Sequence, residues 1–441
     1  MNYQEIINLG LKKGISEIEL YAKTATDKTL KVFNGSLESY NAKEIYSLSI
    51  RGLFNGKMGY AACESTDEAV INEALDKLIT SCGLLTSTEV EEIFGEIVEY
   101  EKLEEAKSDA DEYTLAEKIE LLKTLESKTL QADERIKKIG YCQYVETLGK
   151  VEIINSYGIN LVRNYSYLVV VLGALGMQDG LTNVGYVHQI ETSFKNINVE
   201  KLVKDVVEKT VNGLGAGSVK TGEYPVILDQ EAASDIFNAF SSLFSGYAAM
   251  KNMTMLNGKK GEKIFGENVT LVDDPFCESS LIKVAFDDEA YPCKKRNVVE
   301  NGVFNGFYHS LKTAKFFNET PTGNGFRNGN QIIPSPTNLY MVPGEYSKEA
   351  LCEGITEGVL VTEVGGLHAG INPVAGTFNL QSSGYMIRNG KKAEPVTLFV
   401  VSGNFIEMLN NIEKIGNDLP EKINDVVVPS ILVKGLMISG K

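Results

Sequence analysis

The sequence contains very little histidine and no tryptophan. Only His188, His309 and His368 occur in 441 residues. No two of them have the short helical spacing that would turn a pair of imidazoles toward one zinc ion. Each histidine is therefore interpreted as a structural or exposed residue, not as a metal ligand or a catalytic base.

Closely spaced cysteines and long apolar runs are also missing. The six cysteines form no CxxC pair, so we interpret them as free thiols that act as small buried hydrophobes. The longest apolar stretch, Tyr167 to Met177, is about half of what a membrane helix requires. The first residues, Met1 to Gly14, lack the basic head and apolar run of a signal peptide, so we expect a cytoplasmic protein.

Positive charge is scarce relative to negative charge. The chain has 43 Lys and Arg against 59 Asp and Glu, a net charge of -16, which repels phosphate backbones and anionic lipids. We therefore expect neither a nucleic-acid partner nor a membrane partner. The Walker pattern is absent, and the GLGAG stretch near Gly213 follows no clear strand, so we expect no cofactor.

The length exceeds the size at which single hydrophobic cores stop growing, which predicts two domains. We expect an α+β fold with an N-terminal domain of helices and an antiparallel sheet over residues 1–212. A glycine-rich linker over 213–222 would lead to a predominantly β domain with few helices over 223–441. The boundary rests on NGLGAGSVKTG, which shows no apolar periodicity.

Turn and capping signals organise the first domain. The dipeptides Asn34-Gly35 and Asn55-Gly56 favour type I′ turns and predict a meander of three strands. Thr114 and Glu117 form a capping-box pattern that opens a helix. Between Glu89 and Glu117, twelve acidic residues stand against two lysines, which predicts an exposed acidic segment that does not lie against a core.

In the second domain, helical periodicity is limited to a few segments. A helix is predicted from Gln230 to Leu243, and another from Phe405 to Ile415, where apolar residues share one face. The remaining sequence reads as strands and turns.

Two carboxylate clusters, Asp273-Asp274 and Asp287-Asp288-Glu289, could bind a hard cation or act as acid and base. Turn chemistry explains them more simply, because no Gly-x-Glu tail completes a calcium loop. An alternative stays open in which the chain is a peptidase with a non-standard site, for example a metal held by Asp287, Asp288 and His309.

The most distinctive stretch, VLVTEVGGLHAGINPVAGTFNLQSSGYMIRNG, runs from Val359 to Gly390 and is followed by IGNDLP at Ile415 to Pro420. Upstream lie FDDEAYP at Phe286 to Pro292 and SIRGLFNGKMGYAAC at Ser49 to Cys63. These stretches resemble the TldD/PmbA family, also called peptidase U62 or modulator of DNA gyrase. The resemblance spans nearly the whole chain.

In that family, TldD-like members bind zinc through an HExxxH helix and a later cysteine, and the glutamate serves as general base. The corresponding helix here reads ASDIFNAFSSLFSG, with neither His nor Glu, and no cysteine follows Cys352. The degenerate zinc-helix positions are Phe237, Asn238, Ser241 and Ser242. The resemblance therefore implies a TldE/PmbA-type member with no zinc ligands and no catalytic residues of its own.

The resemblance further implies a non-catalytic subunit of a TldD/TldE-type metalloprotease complex that acts on unfolded peptides. Its partners would be a TldD-like catalytic subunit or a second copy of itself. In TldD-like subunits a peptide is expected to bind as an added strand beside the active helix, which needs an open sheet edge. A regulator that acts on another protein through protein contacts is a further alternative.

A glycine-rich loop is the candidate wall of a peptide groove or chamber. Its residues are Gly365, Gly366, His368 and Asn372. The alternative interpretation is that the glycines only permit tight turns between strands.

Overall fold

The computed structural model describes residues 1–84, 91–104, 108–329 and 331–441. Short 3₁₀ turns occur at Ala110–Glu112, Phe194–Asn196 and Ser241–Phe244. The α-helices of the described chain are α1 (Tyr3–Lys12), α2 (Glu68–Leu84), α3 (Leu115–Ala132), α4 (Val199–Asn212), α5 (Gln230–Phe240), α6 (Gly246–Met250), α7 (Leu311–Phe317), α8 (Lys348–Cys352), α9 (Leu367–Gly370) and α10 (Phe405–Asn410).

The strands form four groups in the described chain. The first half contains β1 (Glu17–Phe33), β2 (Ser36–Phe54), β3 (Lys57–Cys63), β4 (Ile136–Asn155), β5 (Asn160–Gln178) and β6 (Leu181–Glu191). The second half contains β7 (Gly222–Leu228), β8 (Leu271–Asp273), β9 (Arg296–Glu300), β10 (Val303–Phe304), β11 (Gly325–Asn328), β12 (Gln331–Pro334), β13 (Leu339–Met341), β14 (Glu357–Gly365), β15 (Ile371–Asn372), β16 (Thr377–Arg388), β17 (Lys391–Asn404), β18 (Ile412–Ile415), β19 (Val426–Val427) and β20 (Ile431–Ser439).

The first six strands form one antiparallel sheet in the order β3-β2-β1-β4-β5-β6. Both predicted hairpin turns are confirmed, because Asn34 and Gly35 have φ values of 50° and 69°, and Asn55 and Gly56 have 52° and 74°. One face of the sheet packs against α1 and α2 near one end and against α3 and α4 near the other. The capping box of Thr114 and Glu117 at the start of α3 is also confirmed.

A second sheet curves into a closed barrel. Strands β14, β7, β20, β17 and β16 follow one another, and β16 pairs back to β14. A smaller sheet, β10-β9-β8-β13-β19, and the β11-β12 hairpin complete the second half. The predicted α+β class, with a β-rich C-terminal region, is confirmed. Within the described ranges, no helix is long and apolar enough to cross a membrane.

Helix α5 is anchored by aromatic packing on its buried face. Phe240 stacks on Phe405 with ring centroids 4.5 Å apart, and Phe237 meets Phe405 edge-on at 5.1 Å. The predicted helix from Gln230 is confirmed, although its last turn is a 3₁₀ turn. The helix predicted from Phe405 is wrong beyond Asn410, because Ile412–Ile415 pairs with β20 as a strand.

The acidic segment was predicted not to lie against a core, and this expectation is wrong for its described part. Ile93 and Phe94 are buried, and Phe94 packs with Val151, Ile153 and Phe286 in a cluster shared by the two halves. The charges are accommodated by partners at the edges of that cluster. Glu91 accepts a hydrogen bond from Tyr60 and pairs with Lys312 at 2.8 Å, and Glu92 pairs with Lys315 at 2.6 Å. Residues 89–90 and 105–107 of the segment lie outside the described ranges.

A buried ion network joins the sheet to the second half. Arg51 donates to both carboxylate oxygens of Glu19, at 2.7 and 3.1 Å, and to Glu289 at 3.0 Å. Arg163 of β5 contacts Asp288 at 2.8 Å. These contacts bring the FDDEAYP stretch against the Arg51 hairpin, two regions that lie far apart in the sequence.

Candidate functional site

A large cleft lies between the edge of the first sheet and the outer face of α5. Its volume is about 1750 Å³. The end of β6 and the helix α4 form one wall, and α5, β14 and the loop from Asp418 to Val427 form the other. A cleft of this size between two structural units is the usual setting for a ligand site.

The cleft face of α5 is polar. Asp229 precedes the helix, and its side chain accepts a hydrogen bond from the Ala232 N–H at 3.1 Å, which is the role of an N-cap. Ser234, Asp235 and Asn238 follow at helical spacing and line the cleft. The opposite face of α5 carries the phenylalanines that enter the core, so the helix separates the core from the cleft.

Two carboxylates that line the cleft have raised pKa values. Burial raises the pKa of Asp229 to about 7, against the opposing effect of its hydrogen bond to Ala232. Burial also raises the pKa of Asp235, and repulsion from Glu231 adds to that effect. Attraction to His188 and Lys209, which line the same cleft, opposes the rise.

Beside α5, strand β14 leaves part of one edge open. Strand β16 pairs with β14 from Glu357 to Gly365, whereas β7 covers only Val359 to Val361 on the other side. After β7 the chain turns into α5, and within the described residues no strand pairs with that side of Thr362–Gly365. Thr362 also lines the cleft. The site therefore contains the kind of open edge that an extended peptide can join.

The glycine-rich loop lies next to α5, but outside the described lining of the cleft. Gly365 ends β14, and Gly366 has φ of 74° before the short helix α9, which contacts α5. The side chain of His368 is exposed. Asn372 accepts a hydrogen bond from the Ala375 N–H at 3.1 Å in a tight turn. A role of these residues in a peptide groove stays a prediction.

The four degenerate zinc-helix positions do not share one face. Phe237 is buried in the core with 1% of its surface exposed, whereas Asn238 is exposed and lines the cleft. Ser241 and Ser242 lie in the 3₁₀ turn after α5, half-buried and exposed respectively. The structure therefore brings Asn238 of these four to the cleft.

The side chains proposed for a non-standard site are engaged elsewhere. Asp287 accepts hydrogen bonds from the N–H groups of Glu289, Tyr291 and Gly325, and Asp288 accepts from Arg327. Burial, followed by repulsion from Glu289, raises the pKa of Asp287. This pattern is turn chemistry, as the simpler interpretation predicted.

His309, the third side chain of that hypothesis, is also buried. Its Nδ1 is 3.2 Å from the Thr313 hydroxyl, and burial lowers its pKa to about 4. Among the described residues, no three side chains of His, Cys, Asp or Glu form a group that could hold a metal ion.

Several cleft residues were missed by the sequence analysis. Asp229 could have been found, because an Asp directly before a predicted helix is an N-cap signal. His188 and Glu191 could not, since their proximity to α5 depends on the packing of the two halves. Asp235 lies on the polar side of α5, and its position in the cleft depends on the same packing.

Comparison with known proteins places most of the chain in one family. Family models described as PmbA/TldA metallopeptidase domain 1, central domain and C-terminal domain match residues 18–82, 108–214 and 221–440. A metalloprotease of Archaeoglobus fulgidus is 28% identical over 408 residues, which cover 88% of this chain and 89% of the relative.

Two solved structures have the same fold as this chain over nearly its full length. A Thermotoga maritima protein described as a modulator of a DNA gyrase superposes with a TM-score of 0.90, is 28% identical and is matched over 99% of each chain. TldE from Thermococcus kodakarensis shares the fold with a TM-score of 0.89, at 23% identity and with 99% of each chain covered. The chain therefore belongs to the PmbA/TldD metallopeptidase family.

Proposed function

We propose that this chain is a non-catalytic, TldE/PmbA-like subunit of a TldD/TldE-type metalloprotease complex that acts on unfolded peptides. The observation that carries the proposal is the composition of α5. In place of the HExxxH expected of TldD-like members, this segment carries Phe237, Asn238, Ser241 and Ser242. Its cleft face presents Ser234, Asp235 and Asn238.

The residues on this face do not fit a zinc site. Zinc in proteins is held by imidazole, thiolate and carboxylate groups, usually as a tetrahedral set. Glu231 and Asp235 are the zinc-ligand residue types that α5 turns to the cleft, and Phe237 on the opposite face is an apolar core residue. Among the described residues they belong to no group of three His, Cys, Asp or Glu side chains that could hold a metal, so they do not supply the ligand set that activates a water molecule.

The cleft beside α5 supports a role in binding peptides. The cleft has room for an extended chain, and the open edge of β14 at Thr362–Gly365 offers main-chain hydrogen bonds that do not depend on the peptide sequence. Unfolded peptides expose the main-chain groups that such an edge requires.

The outer face of the first sheet offers an apolar surface to a partner chain. Val145, Val169 and Ile190 lie side by side on neighbouring strands, on the face opposite α3 and α4. Leu175 and Val184 extend this row, and Val184 is 47% exposed. In the part of the chain described, none of the five packs in a buried cluster. We refer to these five residues as the outer apolar face.

A strand that is apolar on both faces is typical of a sheet covered on both sides. The outer apolar face is therefore suited to contact with a second chain. We propose that a TldD-like catalytic subunit covers it, and a second copy of this chain is the alternative partner.

Metal analysis of the purified chain tests the proposal. We expect less than stoichiometric zinc after dialysis against zinc-containing buffer, and no chelator-sensitive cleavage of an unfolded peptide by the chain alone. Stoichiometric zinc together with chelator-sensitive cleavage would instead identify this chain as an active peptidase with a non-standard site.

A further inference from the structure

Glu191 is a buried carboxylate with an unused oxygen. It ends β6, lines the cleft and has only 9% of its surface exposed. Its Oε1 accepts a hydrogen bond from Gln189 Nε2 at 2.9 Å, whereas its Oε2 has no hydrogen-bond partner among the described residues.

An unpaired buried carboxylate oxygen is costly. Buried polar groups almost always have partners, and a buried charge is normally paired with an opposite charge. Within the described residues no cation pairs with Glu191, and the side chain that donates to its other oxygen, Gln189, is neutral. Glu191 lines the cleft, so a ligand cation that enters beside it could pair with this carboxylate.

No lysine of the described cleft lining forms an ion pair with Glu191. Carboxylates outnumber lysines there by eleven to six, and three of the lysines pair with other acids. The pairs are Lys209 with Glu231 at 2.6 Å, Lys348 with Asp418 at 3.4 Å and Lys392 with Glu208 at 3.6 Å.

Asp235 is a second acid of the cleft. It projects from α5 into the same cleft and takes part in no ion pair within the described residues. The two acids lie on different walls, Glu191 on the sheet and Asp235 on the helix. A peptide lying in the cleft would therefore pass a negatively charged group on each side.

We propose that the cleft selects extended peptides carrying ammonium or guanidinium groups, with Glu191 and Asp235 as the residues that recognise them. The inference rests on the proposed function, because it presumes that the cleft receives peptides. It adds the chemical class of the preferred ligand. Lysine and arginine side chains and a free N-terminal ammonium share this chemistry.

The test is fluorescence anisotropy with the full chain and labelled, unstructured peptides of about ten residues. The peptides share a Gly-Ser-Ala background and differ only in carrying Lys, Gln or Glu, each with a free or an acetylated N-terminus. We expect the Lys peptide to bind about tenfold tighter than the Gln peptide, because a charged hydrogen bond contributes about that much. The comparison of free and acetylated peptides distinguishes the terminal ammonium from the side chains.

Two variants test whether Glu191 and Asp235 cause the preference for the Lys peptide. Glu191→Gln and Asp235→Asn should each reduce the Lys-over-Gln preference to about threefold or less, because each weakens binding of the Lys peptide more than binding of the Gln peptide. Glu73→Gln on the exposed surface of α2 is the control for net charge, and it should leave the preference intact. Thermal melts verify the fold, and Asp235→Asn decides the matter if Glu191→Gln does not fold.

Equal affinities for the Lys and Gln peptides would overturn this inference alone. A preference that persists in both variants would also overturn it, because the selecting group would lie elsewhere. Failure of the wild-type chain to bind any of the peptides would count against its proposed role in handling peptides as well.

Discussion

Asp229 caps helix α5 and has a raised pKa. Its side chain accepts the Ala232 N–H at the start of α5, and burial raises its pKa to about 7. The folded chain therefore holds this proton more tightly than the unfolded chain does. Stability contributed by the protonated form is present at acidic pH and is lost as the pH rises from about 4 to about 7.

The variant Asp229→Asn should remove this pH dependence while keeping the cap, because Asn also accepts the Ala232 N–H. We expect the free energy of unfolding to rise by about 1 kcal/mol near pH 8, a value reduced for the partial exposure of the side chain, and to change little near pH 4. Urea unfolding at both pH values measures it. Asp76→Asn on the exposed surface of α2 is the control, and an equal gain at both pH values would contradict the explanation.

Arg51 is a buried cation that pairs with carboxylates from both halves of the chain. It is 1% exposed and neutralises Glu19 and Glu289, which come from the two halves of the chain. Attraction to these carboxylates outweighs the opposing effect of burial and raises the pKa of Arg51. Loss of the guanidinium would leave two buried carboxylates without their main partner.

We therefore expect Arg51→Met to destabilise the fold by about 3–5 kcal/mol. Arg388→Met is the matched control, because Arg388 pairs with Glu357 and Glu394 on the exposed surface, and it should cost about 1 kcal/mol or less. Denaturant unfolding compares the two variants. Similar small losses in both would show that the Arg51 network does not stabilise the junction.

One face of helix α5 packs in the core and the other lines the cleft. Substitutions on the two faces should therefore differ in their cost to stability. Phe240→Ala removes a fully buried ring that stacks on Phe405, and we expect a loss of about 3–5 kcal/mol. Asn238→Ala, two residues earlier on the cleft face, should change stability by about 0.5 kcal/mol or less. Thermal unfolding of both variants tests the orientation of the helix. Comparable losses would contradict it.

Local signals predicted the elements whose structure depends on local contacts. The turns at Asn34-Gly35 and Asn55-Gly56 require positive φ values that these residue types adopt readily, so the hairpins could be predicted from the sequence. The helix expected from Phe405 to Ile415 ended early because Ile412–Ile415 gains strand pairing with β20, a partner that helical periodicity does not reveal.

The acidic segment and the cleft needed tertiary information. The high charge density around Glu91 and Glu92 predicted a solvated segment, yet Lys312 and Lys315 neutralise these residues while Phe94 enters the core. The cleft itself arises where β6 approaches α5. Its acidic pair, Glu191 and Asp235, is separated by more than forty positions in the sequence.

The two halves act as one scaffold that leaves two surfaces available. A shared apolar cluster and the Arg51 network hold the first sheet against the second half. The cleft beside α5 faces peptide in the proposed assembly, and the outer apolar face contacts the partner. Ile190 belongs to both regions, since it lines the cleft and is one of the five residues of the outer apolar face.

A charge on the outer apolar face should weaken association with the partner without unfolding the chain. We expect Val169→Asp to weaken association by about tenfold or more, because a carboxylate would be desolvated in the contact. Val162→Asp, an exposed site on the same strand, is the control. Analytical ultracentrifugation measures association with the copurified partner or with a second copy. Unchanged association of Val169→Asp would remove this face from the interface.

The most direct measurement is peptide cleavage by this chain, by a TldD-like chain that copurifies from the same host, and by their mixture. We predict that the mixture degrades an unfolded peptide in a chelator-sensitive reaction and that this chain alone does not. Chelator-sensitive cleavage by this chain alone, at a rate equal to that of the mixture, would contradict the account.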